Sequence, residues 1–240
     1  MSAQPEALIF DVFGTIVDWR SGIAAACKEA FERKQIDHDP HRFADLWRDE
    51  YQPAMERIRS GGRGYVALDI LHRENLDRVL DKTGLAPRFN AAERDTLNHA
   101  WEQLPPWADS VAALQILKQR FIIAPCSNGS IALMTRLAKF GGLPWDAILG
   151  AEIARDYKPR AQVYLASCAA LGLEPSRVMM VAAHNDDLEA AAAAGLRTGF
   201  FPRAQEYGAA QKTDLEPSQD WDLVSSDMTG FASTLLNAPV

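Results

Sequence analysis

The chain predicts an α/β fold: a parallel sheet with covering helices, interrupted early by a long helical insertion. Three observations carry this reading. Residues 7–10 form a short apolar run that stops at Asp11, with Gly14-Thr15 just beyond, as a buried strand does when it ends at the carboxyl edge of a parallel sheet. From Pro105-Pro106 onward, short apolar runs alternate with helical stretches, the mark of parallel βαβ units. Between them, residues 20–104 carry helical periodicity and no convincing strand.

In the insertion, Ile23, Ala26, Cys27, Ala30 and Phe31 follow the i, i+3, i+4 spacing of a first helix, and Phe43, Leu46, Trp47 and Tyr51 that of a second. Residues 65–80 predict a third, with Val66, Ile70, Leu71 and Leu76 on its face. Residues 91–104 predict a fourth, opened by Asn90 with Glu93 three positions on, a capping-box arrangement. Ser60-Gly61-Gly62-Arg63-Gly64 separates the second from the third; glycine runs disfavour helix, so this is a connector, with a hinge as the alternative reading.

Beyond the prolines, a helix is expected over 109–119, then a strand over 121–126 ending at Ser127-Asn128-Gly129. A helix over 131–140 is stopped by Gly141-Gly142, and a short strand over 147–149 and a helix over 162–171 follow. A strand over 177–182 runs into His184-Asn185-Asp186-Asp187, a helix over 188–194 stops at Gly195, and a strand over 197–201 stops at Pro202. Residues 206–220 are polar and read as a surface loop, and a last helix lies near 228–236. Residues 1–18 and 105–240 are thus expected to form the core domain, and 19–104 a helical cap lying over the sheet edge.

A length of 240 residues suits one domain with an inserted subdomain, and 48% hydrophobic and 24% charged residues are ordinary globular values. A net charge of −7 with no basic run argues against nucleic acid as a partner. An anionic substrate would have to be drawn in locally, by a few placed cations and helix N-termini. Cys27, Cys126 and Cys168 lack zinc-ligand spacing and read as buried thiols in a reducing compartment. No leader pattern and no stretch near 18 apolar residues is present, so a soluble cytoplasmic protein without membrane contact is expected.

Four polar groups fall at strand ends: Asp11 with Thr15, Ser127 with Asn128, Lys158 before Pro159, and His184 with Asp187. Such ends converge on one crevice in a parallel sheet. A carboxylate beside a lysine stays ionised, and an ionised carboxylate can act as a nucleophile. Singly, each of these residues is as well explained as a turn former, a cap or a solvated side chain; their order along the chain is what points to a site.

That ordered set resembles the haloacid dehalogenase superfamily, most closely its type II L-2-haloacid dehalogenases. Asp11-Val12-Phe13-Gly14-Thr15 is similar to the first motif, Ser127-Asn128-Gly129 to the second, and Tyr157-Lys158-Pro159 with Tyr164 to the third. Residues 181–187 stand where the fourth belongs, and Leu46-Trp47-Arg48 is similar to the segment carrying the cap arginine. The resemblance implies a Rossmann-like core and a metal-independent, cofactor-free hydrolysis of short 2-haloacids, and it admits a homodimer. It implies Asp11 as nucleophile, Lys158 holding it ionised, Arg48 at the leaving halide, and Asp187 orienting or activating water. Thr15, Ser127 and Asn128 would fix the substrate carboxylate and Asp11, with Phe13 and Tyr164 also at the substrate site.

Metal-dependent phosphatases of that superfamily carry a second Asp two places after the nucleophile and a magnesium-binding Asp in the fourth motif; here those positions hold Phe13 and Ala183. A phosphatase or phosphonate hydrolase, and a non-catalytic binding protein, are therefore the weaker alternatives. The chain also departs from the dehalogenase pattern, with Ala182 and His184 where Ser and Asn are usual, Asp186 where an aromatic is common, and Phe13 for Tyr. The expectation for His184 is a hydrogen bond to Asp187 or to water with added base capacity, and for Asp186 a negative charge able to raise a neighbouring carboxyl.

Overall fold

The computed structural model describes residues 4–237. Its strands are β1 (Ala7–Phe10), β2 (Ile122–Ser127), β3 (Leu149–Gly150), β4 (Val178–Ala182), β5 (Arg197–Phe200) and β6 (Leu223–Val224). They form one six-stranded sheet in the order β3-β2-β1-β4-β5-β6, parallel throughout. β1 lies between β2 and β4, with Phe10 opposite Pro125 on one side and Val181 on the other. The strand order reverses at β1, so the crevice of the sheet opens at its carboxyl end. Asp11 is the next residue.

β1 is buried on both faces, and its side chains alternate between two cores. Leu8 and Phe10 join one cluster; Ala7 and Ile9 join the other, with Val163, Tyr164, Met180 and Leu188. The first cluster is continuous through Phe13 and Trp19 into Trp47, Leu71 and Trp101 of the helical layer. Its centre is a group of rings: Trp101 meets Phe13 edge-on at 5.7 Å, Trp47 edge-on at 5.6 Å, and stacks on His72 at 4.0 Å.

The helical layer comprises α1 (Trp19–Lys34), α2 (Pro40–Asp49), α3 (Tyr51–Arg59), α4 (Leu68–Lys82) and α5 (Ala91–Asn98). The expected second helix is two helices, broken at Glu50. Pro53 explains the break: it has no N–H for the carbonyl four residues back and its ring crowds that carbonyl, so it is tolerated only in a first turn. The third helix starts at Leu68 rather than at residue 65. The fourth ends at Asn98 and tightens into a short 3-10 turn over His99–Glu102, just ahead of the two prolines. The capping box of Asn90 and Glu93 is present in both directions.

The sheet is flanked by α6 (Ser110–Leu117), α7 (Ile131–Gly141), α8 (Ala151–Ala154), α9 (Ala161–Ala170), α10 (Asn185–Ala193) and α11 (Met228–Asn237). The third strand begins at Leu149, later than the apolar run suggested, and β6 had no signature beyond a single Leu-Val pair. The stretch 206–220 is not wholly a surface loop. Glu206 is 1% exposed and accepts a hydrogen bond from Trp19 Nε1 over 2.9 Å. All three cysteines are free and buried, and among the described residues no helix is long and apolar enough to cross a membrane.

Replacing Trp101 by alanine removes the ring on which Phe13, Trp47 and His72 pack. The expected loss is about 3–5 kcal/mol of stability, read as a lower urea midpoint at unchanged slope.

Candidate active site

The carboxyl ends of β1, β2 and β4 and the inner side of α2 and α3 enclose a cavity of about 460 Å³, lined by Asp11, Phe13, Arg48, Tyr51, Gln52, Asn128, Lys158, His184, Asp187 and Tyr207, among others. The turn after β1 sets its floor. Ile16 N and Val17 N both donate to the Val12 carbonyl, and Gly14 N donates to Val17 O over 3.0 Å. Gly14 has φ +94, a left-handed conformation that favours glycine. A Cβ there would fall 2.1 Å from Glu206 Oε1, so the glycine also makes room for a buried carboxylate.

Asp11 receives donors on both oxygens. Lys158 Nζ lies 2.9 Å from Oδ1; Thr15 Oγ1 donates to Oδ2 over 2.7 Å, and His184 Nδ1 is 3.2 Å from Oδ2. Burial opposes the charge of Asp11, but Lys158 and His184 together outweigh it and hold the carboxyl well below the usual carboxylate range. Lys158 Nζ also donates to Asp187 Oδ2, and Tyr164 Oη donates to Asp187 Oδ1. One ammonium thus bridges two carboxylates. Burial, with the nearby Asp11 charge, raises the Asp187 carboxyl above its ordinary value despite Lys158. For Lys158, burial favours the neutral amine, but Asp11 and Asp187 raise its pKa beyond the ordinary lysine value.

The expected residues do not all reach the cavity. Asp11, Phe13, Arg48, Asn128, Lys158, His184 and Asp187 line it. Thr15, Ser127 and Tyr164 are fully buried behind its wall, so their contacts are with other side chains and backbone rather than with a ligand. Thr15 accepts from Ala183 N over 3.0 Å while donating to Asp11, and Ser127 Oγ accepts from Gly129 N over 3.1 Å. Asn128 Oδ1 accepts from Lys158 N over 2.8 Å, fixing the backbone from which the lysine extends.

His184 differs from the expectation. Its partners are Asp11 through Nδ1 and Glu206 Oε2 through Nε2 at 2.7 Å, and not Asp187. Burial lowers an imidazole pKa, but Glu206 and Asp11 outweigh it and raise that of His184 well above 6.5. The ring is an imidazolium between two carboxylates, which has no lone pair to act as a base in this state. Asp186 lies in the first turn of α10, its carboxylate accepting from Asp187 N over 2.8 Å. The contribution from sequence reasoning that is missing here is Glu206; the one signal for it was Gly14, whose absent side chain it fills.

Arg48 is the site's open cation. Its guanidinium stacks on Tyr51, 4.0 Å from the ring centre, and lies 5.1 Å from that of Trp19. Its Nη1 is buried with no hydrogen-bond partner. A buried donor left unmade costs free energy, so it favours a bound acceptor. The cavity therefore opposes an ionised carboxylate, held by three donors, to an arginine free to receive an anion.

A family model described as haloacid dehalogenase-like hydrolase matches residues 5–195. The chain belongs to the haloacid dehalogenase-like hydrolases. The (S)-2-haloacid dehalogenase 4A of Burkholderia cepacia is 25% identical over 249 residues, covering 94% of this chain and 97% of its own length. That of Pseudomonas sp. strain YL is 27% identical over 223 residues, covering 92% and 90%. The crystal structure of a defluorinating L-2-haloacid dehalogenase superposes with a TM-score of 0.95 at 49% identity, over 97% of this chain and 95% of that one. Another L-2-haloacid dehalogenase gives 0.91 at 43% identity, over 96% and 99%.

Because the folded pKa of His184 lies above the unfolded value of about 6.5, its stabilisation is complete below that pH and is lost as pH rises through the folded value. In Glu206→Gln this alkaline loss should begin at lower pH, and the His184 ring protons should titrate closer to 6.5, followed by NMR.

Proposed function

We propose that this protein hydrolyses the carbon–halogen bond of short 2-haloacids through an ester on Asp11, releasing halide and the hydroxy acid. The observation that carries this reading is Arg48 Nη1, a buried, unpartnered donor in the same cavity as an ionised Asp11. An in-line displacement needs a nucleophile on one side of the reacting carbon and a stabiliser of the departing anion on the other. The identity to structures of L-2-haloacid dehalogenases supports the same reading.

In the first step an Asp11 oxygen attacks the halogen-bearing carbon. The carbon–oxygen bond forms as the carbon–halogen bond breaks, the electron pair leaves with the halide toward Arg48, and the carbon inverts. Asn128 and the backbone amides beside it orient the substrate carboxylate. In the second step water attacks Asp11 Cγ. The oxyanion forms on the Asp11 oxygen that is not bonded to the substrate carbon and keeps the donors of that oxygen, Thr15 and His184 when Oδ1 has attacked or Lys158 when Oδ2 has, so its charge develops where donors already point. Asp187, whose pKa is raised, takes the proton of the water. Collapse breaks the bond from Cγ to the product oxygen, which takes the proton back from Asp187, and the second proton of the water leaves the new Asp11 carboxyl to solvent, restoring its carboxylate.

A phosphatase needs an acid at the position of Phe13, which is instead a buried ring in the cavity wall. The donor set does not suit a divalent cation either. The Lys158 ammonium already bridges Asp11 and Asp187, and among the described residues no group of three or more His, Cys, Asp or Glu is arranged to hold a metal. No step of the reaction runs through one. The free, buried thiols suit a reducing compartment such as the cytoplasm.

Halide release from L-2-chloropropionate should persist with chelator and fall at least about a thousandfold in Asp11→Asn, a loss of covalent catalysis on the scale of a removed nucleophile. Mass spectrometry of the quenched enzyme should find the ester on the peptide containing Asp11. Phosphate release that requires magnesium, without halide release, would replace this reading with the phosphatase one. Arg48→Lys, with one compact charge in place of the stacked fork, should lower kcat by about 10–100-fold.

A further inference from the structure

Both backbone polar groups of Lys158 are held, one by a residue that follows β2 and the other by a residue of the helical layer. Its N–H donates to Asn128 Oδ1 beyond β2, and its carbonyl accepts from Arg59 Nη1, over 2.7 Å, at the end of α3. Arg160 Nη2 returns a bond to the Arg59 carbonyl. Seven residues after Arg59, the Val66 carbonyl accepts from Tyr157 Oη over 2.5 Å. The glycine-rich connector of residues 60–64 therefore runs between two anchors, and both lead to residues 157–160. Within the connector Arg63 pairs with Glu74 of α4 over 2.7 and 2.8 Å, while a Cβ added at Gly61 or at Gly64 would meet nothing within 4 Å.

Arg59 is well suited to this task. Its side chain is 10% exposed. Its other donors reach Glu56 Oε2 at 2.8 Å and Gln52 Oε1 at 3.1 Å, and Gln52 lines the cavity. One guanidinium thus links a cavity-lining residue of the helical layer to the peptide that carries Lys158. A lysine has a flexible four-carbon stem, so the position of its ammonium depends on a fixed backbone. An error of about 1 Å in such a group can cost about a hundredfold in rate.

We propose that Arg59 is a positioning residue: with the Tyr157–Val66 bond, it holds Lys158 on Asp11 and registers the helical layer carrying Arg48 above them. Its effect on rate rests on the dehalogenation reading; its effect on the Asp11 carboxyl does not.

The test compares wild type with Arg59→Met, Arg59→Lys and Tyr157→Phe, each checked for cooperative unfolding. Two quantities are read: kcat and KM for L-2-chloropropionate, and the Asp11 carboxyl titration by 13C NMR, assigned by its loss in Asp11→Asn. The charged groups around Asp11 are Lys158 and His184 in contact, Arg48 across the cavity, and Asp187 and Glu206 behind the two cations. Of these, Lys158 is the one Arg59 touches. Arg59→Met should lower kcat about tenfold with a smaller change in KM, and should move the Asp11 titration to higher pH. Arg59→Lys should recover part of both, and Tyr157→Phe should move both in the same direction. If Arg59→Met raises only KM, with kcat and the Asp11 titration as in wild type, Arg59 merely fastens the helical layer and the proposal fails. Should Arg59→Met not fold, wild-type values of both quantities in Arg59→Lys and Tyr157→Phe would overturn it equally. No halide release from wild type would remove the dehalogenation reading, while the titration would still decide the role of Arg59.

Discussion

The site depends on one buried ammonium. Lys158 Nζ lies against Asp11 and Asp187, each of them less than a tenth exposed. Burying a carboxylate costs several kcal/mol, and burying two close together costs more unless a cation is placed between them. Lys158 meets that condition by lowering both carboxyls, and the rest of the surroundings makes the pair unequal: His184 adds a second cation at Asp11, while burial and the Asp11 charge raise the Asp187 carboxyl above its ordinary value. Two carboxyls made chemically unequal by their surroundings can carry different roles, one as nucleophile and the other as proton acceptor.

A second cation completes the balance. His184 sits between Asp11 and Glu206, and Glu206 fills the space that Gly14 leaves open. The inner charges alternate: Asp187, Lys158, Asp11, His184, Glu206. Each carboxylate of this row touches a cation, and Arg48 remains outside it with a donor unmade. Three carboxylates against two cations leave the row with one net negative charge and no cation to spare, so the attraction for an incoming anion is left to Arg48. This accounts for how a chain of net charge −7 can suit a small anionic substrate.

Much of the frame was legible because it rests on local rules. The buried strand ending at Asp11, the capping box at Asn90 and the alternation after Pro105-Pro106 each follow from the residues in a short window. Asp11 could be placed at a strand end for the same reason, whereas Lys158, expected at one too, lies between α8 and α9, and Asp187 in the first turn of α10. The breaks were harder. The helix break at Glu50 turned on Pro53, whose effect reaches back to a carboxylate-bearing residue four positions earlier, within a periodic apolar pattern that runs on unbroken through Tyr51. Thr15 was expected to fix Asp11 as well as substrate and does bond Asp11, but with Ser127 and Tyr164 it is buried behind the cavity wall, because which way a side chain of a turn, a strand end or a helix faces depends on what packs against that element.

The sequence by itself determined the order of the strands' chemistry: a carboxylate after β1, a hydroxyl and an amide after β2, a lysine before proline, and a carboxylate after β4. It also determined that Phe13 brings no proton. Only the tertiary structure decided the partners of His184. Asp11 and Glu206 lie 173 and 22 residues away along the chain, respectively, and a charge's state is set by what folding brings within about 4 Å of it rather than by its sequence neighbours. The same long-range closure left Arg48 unpaired beside Asp11, and that pairing of a held nucleophile with a free cation is what turns a strand-end aspartate into a site.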